Sequence, residues 1–349
     1  MKLGLNLGYW GLGLSAEAQL GLVQEGERLG YDSVWAAEAY GSDAVSVLGW
    51  LASQTERIRL GSAILQLPAR SAAMTAMTAA TLDQLSSGRF LLGLGTSGPQ
   101  VSEGWHGVRF GRQLQRTREY IDVVRMALAR ERVEYHGSTL ELPLPDGPGK
   151  ALKLTIEPVQ KRIPILLAAL GPRNIELAGE IADGWLPVLF SPADVAQLRA
   201  PLQAGAARSG RSLDQFAICP TVIVHIGDDL AAARDAARPF LALYVGGMGS
   251  REKNFYNRLA AEYGFERQAR EVQDLYLAGE RDKAAAALPE ALIDKVTLTG
   301  PADVVRERLA LFEAAGVDTI IVSTLVHDPA ERLRQIRRLA EVAEQAAVV

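Results

Sequence analysis

Between Leu82 and Pro99 the chain reads LDQLSSGRFLLGLGTSGP, and few folds can accommodate it. A helical turn runs into Ser86-Ser87-Gly88, where glycine suits the left-handed residue that ends a helix. Phe90-Leu91-Leu92 is then apolar on both faces, which predicts a strand covered on both sides, as in a parallel sheet. Gly93, Gly95 and Gly98 strip side chains from the carboxyl end of that strand, so a ligand could lie against bare backbone. Read literally, Gly93 to Gly98 is GxGxxG, the dinucleotide fingerprint. That pattern must open directly into a helix within a first βα unit. Here three strands come first, and Pro99 with the Gly104-Trp105-His106-Gly107 turn predicts no helix before about Leu114. The stretch reads as the mouth of a barrel strand.

The chain on either side repeats one unit. Leu3 to Leu7, Ser33 to Ala37, Ile58 to Leu65 and Phe90 to Gly95 read as strands. Helices follow from Ser15 to Gly30, Ala44 to Thr55 and Ala72 to Leu85, the last apolar nearly all round and therefore expected to be well buried. Each unit is ~25–30 residues long, the repeat of a (β/α)8 barrel. A helix from Thr117 to Arg130 follows, and residues 133–162 are Pro/Gly-rich and alternating, which predicts a hairpin excursion. Strands resume at Ile163 to Ala168, Gly184 to Val188 and Phe216 to His225, with Thr319 to Ser323 as the eighth. Helices are expected from Gly171 to Ile181, Pro192 to Ser209, Asp229 to Val245, Pro301 to Ala315 and Pro329 to Ala346. Residues 250–300 show helical pieces but no strand, so they read as a helical insertion. The expectation is one α/β domain over residues 1–349, a TIM barrel with two insertions.

Composition narrows the function. A net charge of −4 without runs of one sign argues against nucleic-acid binding. No apolar run approaches the roughly 20 residues that span a bilayer. The chain enters a strand at once, with no leader pattern, so a cytoplasmic protein is expected. The single cysteine, Cys219, lies in an apolar strand and reads as an inert core thiol. The histidines His106, His136, His225 and His327 are scattered and lack metal spacing, so no metal is expected.

In a barrel of this kind function lies at the carboxyl ends of the strands. Those ends carry Tyr9 and Trp10, Glu38 and Tyr40, Gln66, Thr96, Ser97 and Gly98, Ala169 to Asn174, and Trp185. Glycines, small hydroxyls and aromatics predominate, which suits a flat, largely apolar ligand bearing a phosphate. Gly171-Pro172-Arg173-Asn174 is the phosphate candidate: backbone N–H groups at a helix start, with proline at the first helical position. A plain helix cap is the other reading of that turn. Trp10, Trp105 and Trp185 could stack on a ring system or serve as core; Trp35 reads as core.

Several segments together resemble a known family: SVWAAEAYGSDA, the run from Arg59 through Gly107, LAALGPRNIELAGEIADGWLP, and YVGGMGSREKNFYNRLAAEYGF with DKVTLTGP. They are similar to the bacterial luciferase-like monooxygenase superfamily, and within it to coenzyme F420-dependent oxidoreductases related to methylenetetrahydromethanopterin reductase. The resemblance implies a barrel that binds the deazaflavin at the strand ends and transfers a hydride between its C5 and a small organic substrate. It also implies a homodimer. Ala63 and Ile64 match the pair joined there by a non-prolyl cis peptide beneath the ring. Gly95, Thr96, Ser97 and Gly98 match the cofactor-lining mouth, and Ala169, Gly171, Pro172, Arg173 and Asn174 the phosphate turn.

Two departures stand out. Relatives with Asp-His have Glu38-Ala39 here, and a sugar-phosphate dehydrogenase branch has a glutamate proton donor where this chain has Gly98. Glu38, Tyr40 and His106 then remain as candidate catalytic residues, and the residues do not choose among them. The rivals are an FMN-dependent monooxygenase served by a partner reductase and a non-catalytic flavin-binding paralogue.

Overall fold

A computed structural model describes residues 1–11, 13–249 and 251–347. Four βα units open the chain. They are β1 (Lys2–Gly8) with α1 (Ala16–Arg28), and β2 (Ser33–Ala36) with α2 (Ala44–Gln54). Next come β3 (Arg59–Ser62) and the short β4 (Leu65–Gln66), leading to α3 (Ala72–Leu85). β5 (Phe90–Gly95) is followed by α4 (Pro99–Gly104) and α5 (Gln113–Leu128). A small hairpin, β6 (Tyr135–His136) with β7 (Glu141–Leu142), forms within the expected excursion. β8 (Ile165–Leu167), α6 (Pro172–Ile181), β9 (Gly184–Trp185) and α7 (Val195–Arg208) resume the pattern. β10 (Ala217–Ile218), β11 (Thr221–Ile226) and α8 (Leu230–Ala242) follow. Then come α9 (Phe255–Ala260), α10 (Glu266–Leu277), α11 (Arg281–Ala286) and α12 (Glu290–Val296). β12 (Thr297–Gly300), α13 (Ala302–Ala314), β13 (Thr319–Ser323) and α14 (Pro329–Ala347) complete the chain.

The strands pair in parallel, in the order β10-β9-β8-β5-β3-β2-β1-β13-β11. The circle closes because residues 217–226 serve both edges. Cys219 N–H donates to Trp185 O at 2.9 Å on one side, and Ile321 N–H to Pro220 O at 2.8 Å on the other. The result is a (β/α)8 barrel, with β12 paired to β11 outside the closed circle. Trp35, Leu91, Leu166, Leu186, Cys219 and Ile321 fill its interior. Trp35 enters only because glycines surround it: a Cβ on Gly61 would lie 2.2 Å from its ring. Its indole N–H donates to Ser33 Oγ at 2.9 Å, so this tryptophan is core, as expected.

Five local expectations are corrected. A helix does begin directly after the glycine mouth, because Gly98 is its N-cap and Pro99 fits the first helical position. It lasts six residues, and α5 then starts at Gln113 rather than Thr117. Residues 250–300 do contain a strand: β12 pairs with β11 from Ile223↔Thr297 to Ile226↔Gly300. Its threonines disguised it, since Thr297 and Thr299 are fully buried and bond to each other and to Ile293 O. The seventh strand breaks between β10 and β11 at Cys219-Pro220, where proline has no N–H to donate. Finally, α3 is not covered all round. Ala72, Ala76, Ala79 and Ala80 pack inward, while Met74 and Met77 are each 51% exposed on the outer face.

Candidate functional site

The site begins where the third barrel strand breaks. β3 pairs with β5 at Leu60↔Phe90, yet β4 pairs at Leu65↔Leu94, so five steps on one strand match four on the other. This is a bulge. Within it the Ala63–Ile64 peptide is cis. The bulge presses on β5, which explains two of the glycines. A Cβ on Gly93 would lie 1.8 Å from Ser62 O, and one on Gly95 2.5 Å from Ile64 Cδ1. Ser62 Oγ locks the contact by donating to Gly93 O and accepting from Gly93 N–H, both at 2.9 Å. Gly93 and Gly95 therefore make room for the bulge, while Gly98 borders the open mouth with only Gln100 Oε1 within 3.1 Å of a would-be Cβ.

Next to the bulge a polar network crosses the mouth. Gln66 is 1% exposed. Its amide nitrogen donates to Ser97 Oγ, and its Oε1 lies 3.0 Å from His106 Nε2. Because Oε1 can only accept, the His106 ring carries its proton on Nε2. Ser97 holds its hydroxyl in place from a left-handed backbone conformation, with φ of 56°. Gln66 N–H in turn donates to Glu38 Oε1 at 3.3 Å. Glu38 forms a two-point ion pair with Arg70 and accepts Ala44 N–H at the start of α2. Its side chain is only 7% exposed, so all of its acceptor capacity is turned to the protein.

The structure thus brings Glu38 and His106 into one network through Gln66, and sets Tyr40 apart. Tyr40 is 69% exposed on the rim. The phosphate turn starts α6 from Gly171 as N-cap, with Pro172 next. No side chain caps that helix; Pro172 has no N–H and Asn174 N–H donates to Gly171 O at 2.9 Å, which leaves the Gly171 and Arg173 N–H groups at its positive end. Arg173 is exposed and Asn174 half-buried beside them, and Ala169 is buried, its carbonyl accepting the Trp185 indole N–H at 2.8 Å. Phe255 of α9 leans over the turn, 3.7 Å from a would-be Gly171 Cβ.

Other candidates fall away. Trp185 is 2% exposed and packs edge-on to Phe190, so it is core. Trp10 packs edge-on to Trp50, and Trp105 is exposed. His136 sits on the exposed hairpin between Glu134 and Glu141, whose hydrogen bonds raise its pKa. Burial pushes the Cys219 thiol up to about 12, leaving it inert. Among the described residues no cluster could hold a metal ion, and no helix is long and apolar enough to cross a membrane.

Sequence reasoning named Gln66 only as a strand end and passed over Arg70. The signal available was the polar pair Gln66 and Arg70 flanking LPA directly after an apolar strand.

The profile of the family described as luciferase-like monooxygenase matches residues 8–319. A Mycobacterium tuberculosis protein named as a candidate coenzyme F420-dependent oxidoreductase is 46% identical, over 97% of this chain and 99% of that one. The 5,10-methylenetetrahydromethanopterin reductase of Archaeoglobus fulgidus is 28% identical, over 86% of this chain and 88% of its own. Among solved structures, the coenzyme F420-dependent tetrahydromethanopterin reductase of Methanopyrus kandleri superposes with a TM-score of 0.83 at 24% identity, covering 97% of both chains.

Proposed function

Because this chain belongs to the luciferase-like monooxygenase family, we propose that it is an oxidoreductase that uses coenzyme F420 on a small organic substrate. One observation carries the reading. The uncapped α6 N-terminus, the open Gly98 edge and the cis bulge at Ala63–Ile64 share the carboxyl-end mouth of the barrel. The Gly171-Pro172-Arg173-Asn174 turn would hold the phosphate, since helix N–H groups and an exposed guanidinium both favour an anion. Ala63, Ile64 and the Thr96–Gly98 backbone would support the ring. A bound deazaflavin supplies hydride transfer at its C5.

The chain's own residues supply position and protons. His106, with its Nε2–H committed to Gln66, has Nδ1 left for a substrate proton. Glu38 acts through others: paired with Arg70, it anchors the loop after β2, the α2 N-terminus and Gln66. We also propose a homodimer, for which the apolar outer faces of α2 and α3, with Trp50, Met74 and Met77, offer a surface.

The test is a fluorescence titration of the apo-chain with F420 and, separately, FMN, alongside thermal stability. Micromolar F420 binding that exceeds FMN binding supports the proposal. At 100 times its dissociation constant a bound ligand adds about 2.7 kcal/mol. Preference for FMN would move the chain to flavin-dependent chemistry, and binding of neither would overturn both.

A further inference from the structure

The barrel opens at its other end too. A well of about 820 Å³ lies at the amino ends of the strands, on the face opposite the cis bulge and the α6 N-terminus. That volume is within the range of small-molecule sites. Its floor is apolar, since Trp35, Leu91, Leu166 and Cys219 belong to the side chains that fill the barrel interior. Its rim is cationic. Lys2 and Arg59 start β1 and β3, while Arg162 and Arg211 precede β8 and β10.

The carboxylates there are already engaged. Asp32 holds both Lys2, at 3.1 Å, and Arg59. Asp183 is surrounded by three guanidiniums: Arg125 of α5 at 3.0 Å, Arg162 at 2.8 Å and Arg211 at 3.6 Å. It also accepts Ile165 N–H at 2.9 Å. At 3.6 Å Arg211 is too far for a hydrogen bond to it. Asp318 spends one oxygen on Ile218 N–H at 2.7 Å, and Asp214 is exposed. Lys2, Arg59, Arg125, Arg162 and Arg211 therefore outnumber Asp32, Asp183, Asp214 and Asp318, in a chain whose net charge is −4. Burial, and then the charges of Arg162 and Arg211, lower the pKa of Arg125 against the pull of Asp183. The Arg162 and Arg211 heads approach the same Asp183 oxygen, so one further oxyanion can bridge them. It would balance the charge and take the N–H groups that Asp183 cannot.

We propose that this well is a second ligand site, which takes an organic oxyanion: one acidic group held by Arg162 and Arg211, on an apolar body that rests against Trp35 and Leu166. The site is separate from the carboxyl-end mouth and does not rest on the oxidoreductase reading. The test titrates the full chain with 8-anilinonaphthalene-1-sulfonate, read by its fluorescence, and with N-phenyl-1-naphthylamine, the same frame without the sulfonate. The sulfonate should bind once per chain and about tenfold more tightly than the neutral dye, equally with and without saturating F420. Arg162→Gln and Arg211→Gln should each weaken the sulfonate about tenfold and leave the neutral dye unchanged. Asp183 keeps Arg125 in both variants, and Arg162→Lys, which keeps the charge, should recover part of the affinity if either glutamine variant folds poorly. Equal affinity for the two dyes, displacement of the sulfonate by F420, no sulfonate binding, or variants that bind it as the wild type does would overturn the site.

Discussion

Gln66 Oε1 and His106 Nε2 stand 3.0 Å apart, although 40 residues separate them in the chain. The amide is pinned from its other side by Ser97 and from its backbone by Glu38, so the imidazole is held by a chain of buried groups. Such a contact fixes which ring nitrogen keeps the proton.

Gln66→Met keeps the volume but leaves Ser97 Oγ and His106 Nε2 unpaired. Stability should fall by about 1–3 kcal/mol. Nitrogen NMR of the His106 ring should show a single Nε2–H tautomer in the wild type and a mixture in the variant.

Glu38→Ala strands Arg70, which is 16% exposed, without its counter-ion. Removing one partner of a buried pair costs about 3–5 kcal/mol. Urea unfolding should show that loss, and Glu38→Gln should recover part of it, because its single amide oxygen still accepts from one of the two N–H groups, Ala44 or Gln66, that the carboxylate oxygens hold.

The glycines of the mouth should separate by role. Gly93→Ala sets a methyl against Ser62 O, where a Cβ has only 1.8 Å, and should cost at least about 3 kcal/mol or prevent folding. Gly98→Ala meets only the mobile end of Gln100, so it should fold normally yet bind F420 more weakly. Thermal melts and F420 titrations of both variants decide this.

Glu119 sets an acid limit on stability. Burial alone would raise its pKa, but hydrogen bonds from Thr139, Gln115 and the Ser138 N–H hold it well below the usual carboxylate range. A depressed folded pKa contributes stability that is complete above the unfolded value, about 4.3, and is lost progressively as pH falls from there toward the folded value. Unfolding free energies measured from about pH 7 down to about pH 3 should therefore begin to fall below about pH 5 for the wild type. For Glu119→Gln the curve should start lower and be flatter.

The barrel was legible in the residues because its signals are local. Phe90-Leu91-Leu92 is apolar on both faces, which only a parallel, doubly covered strand explains, and the βα unit recurs at even length. The helix start at Ser15 carries its cap in the sequence, and Ser15 caps in the structure. β12 escaped notice because Thr297 and Thr299 look polar until their hydroxyls are seen to bond to each other and to Ile293 O within the core.

The site divides in the same way. Glycines at the mouth and the Gly171-Pro172 helix start follow from backbone chemistry and could be read in advance. What Gly93 and Gly95 are for could not, since the atoms they make room for belong to Ser62 and Ile64, about thirty residues away. Nor could a sequence say that Glu38 is spent on Arg70 or that His106 leans on Gln66. Residue type and spacing determine which elements form and which ends face the ligand. Only closure of the barrel decides which side chains satisfy one another and which are left for a ligand, because that depends on distances between strands far apart in the chain.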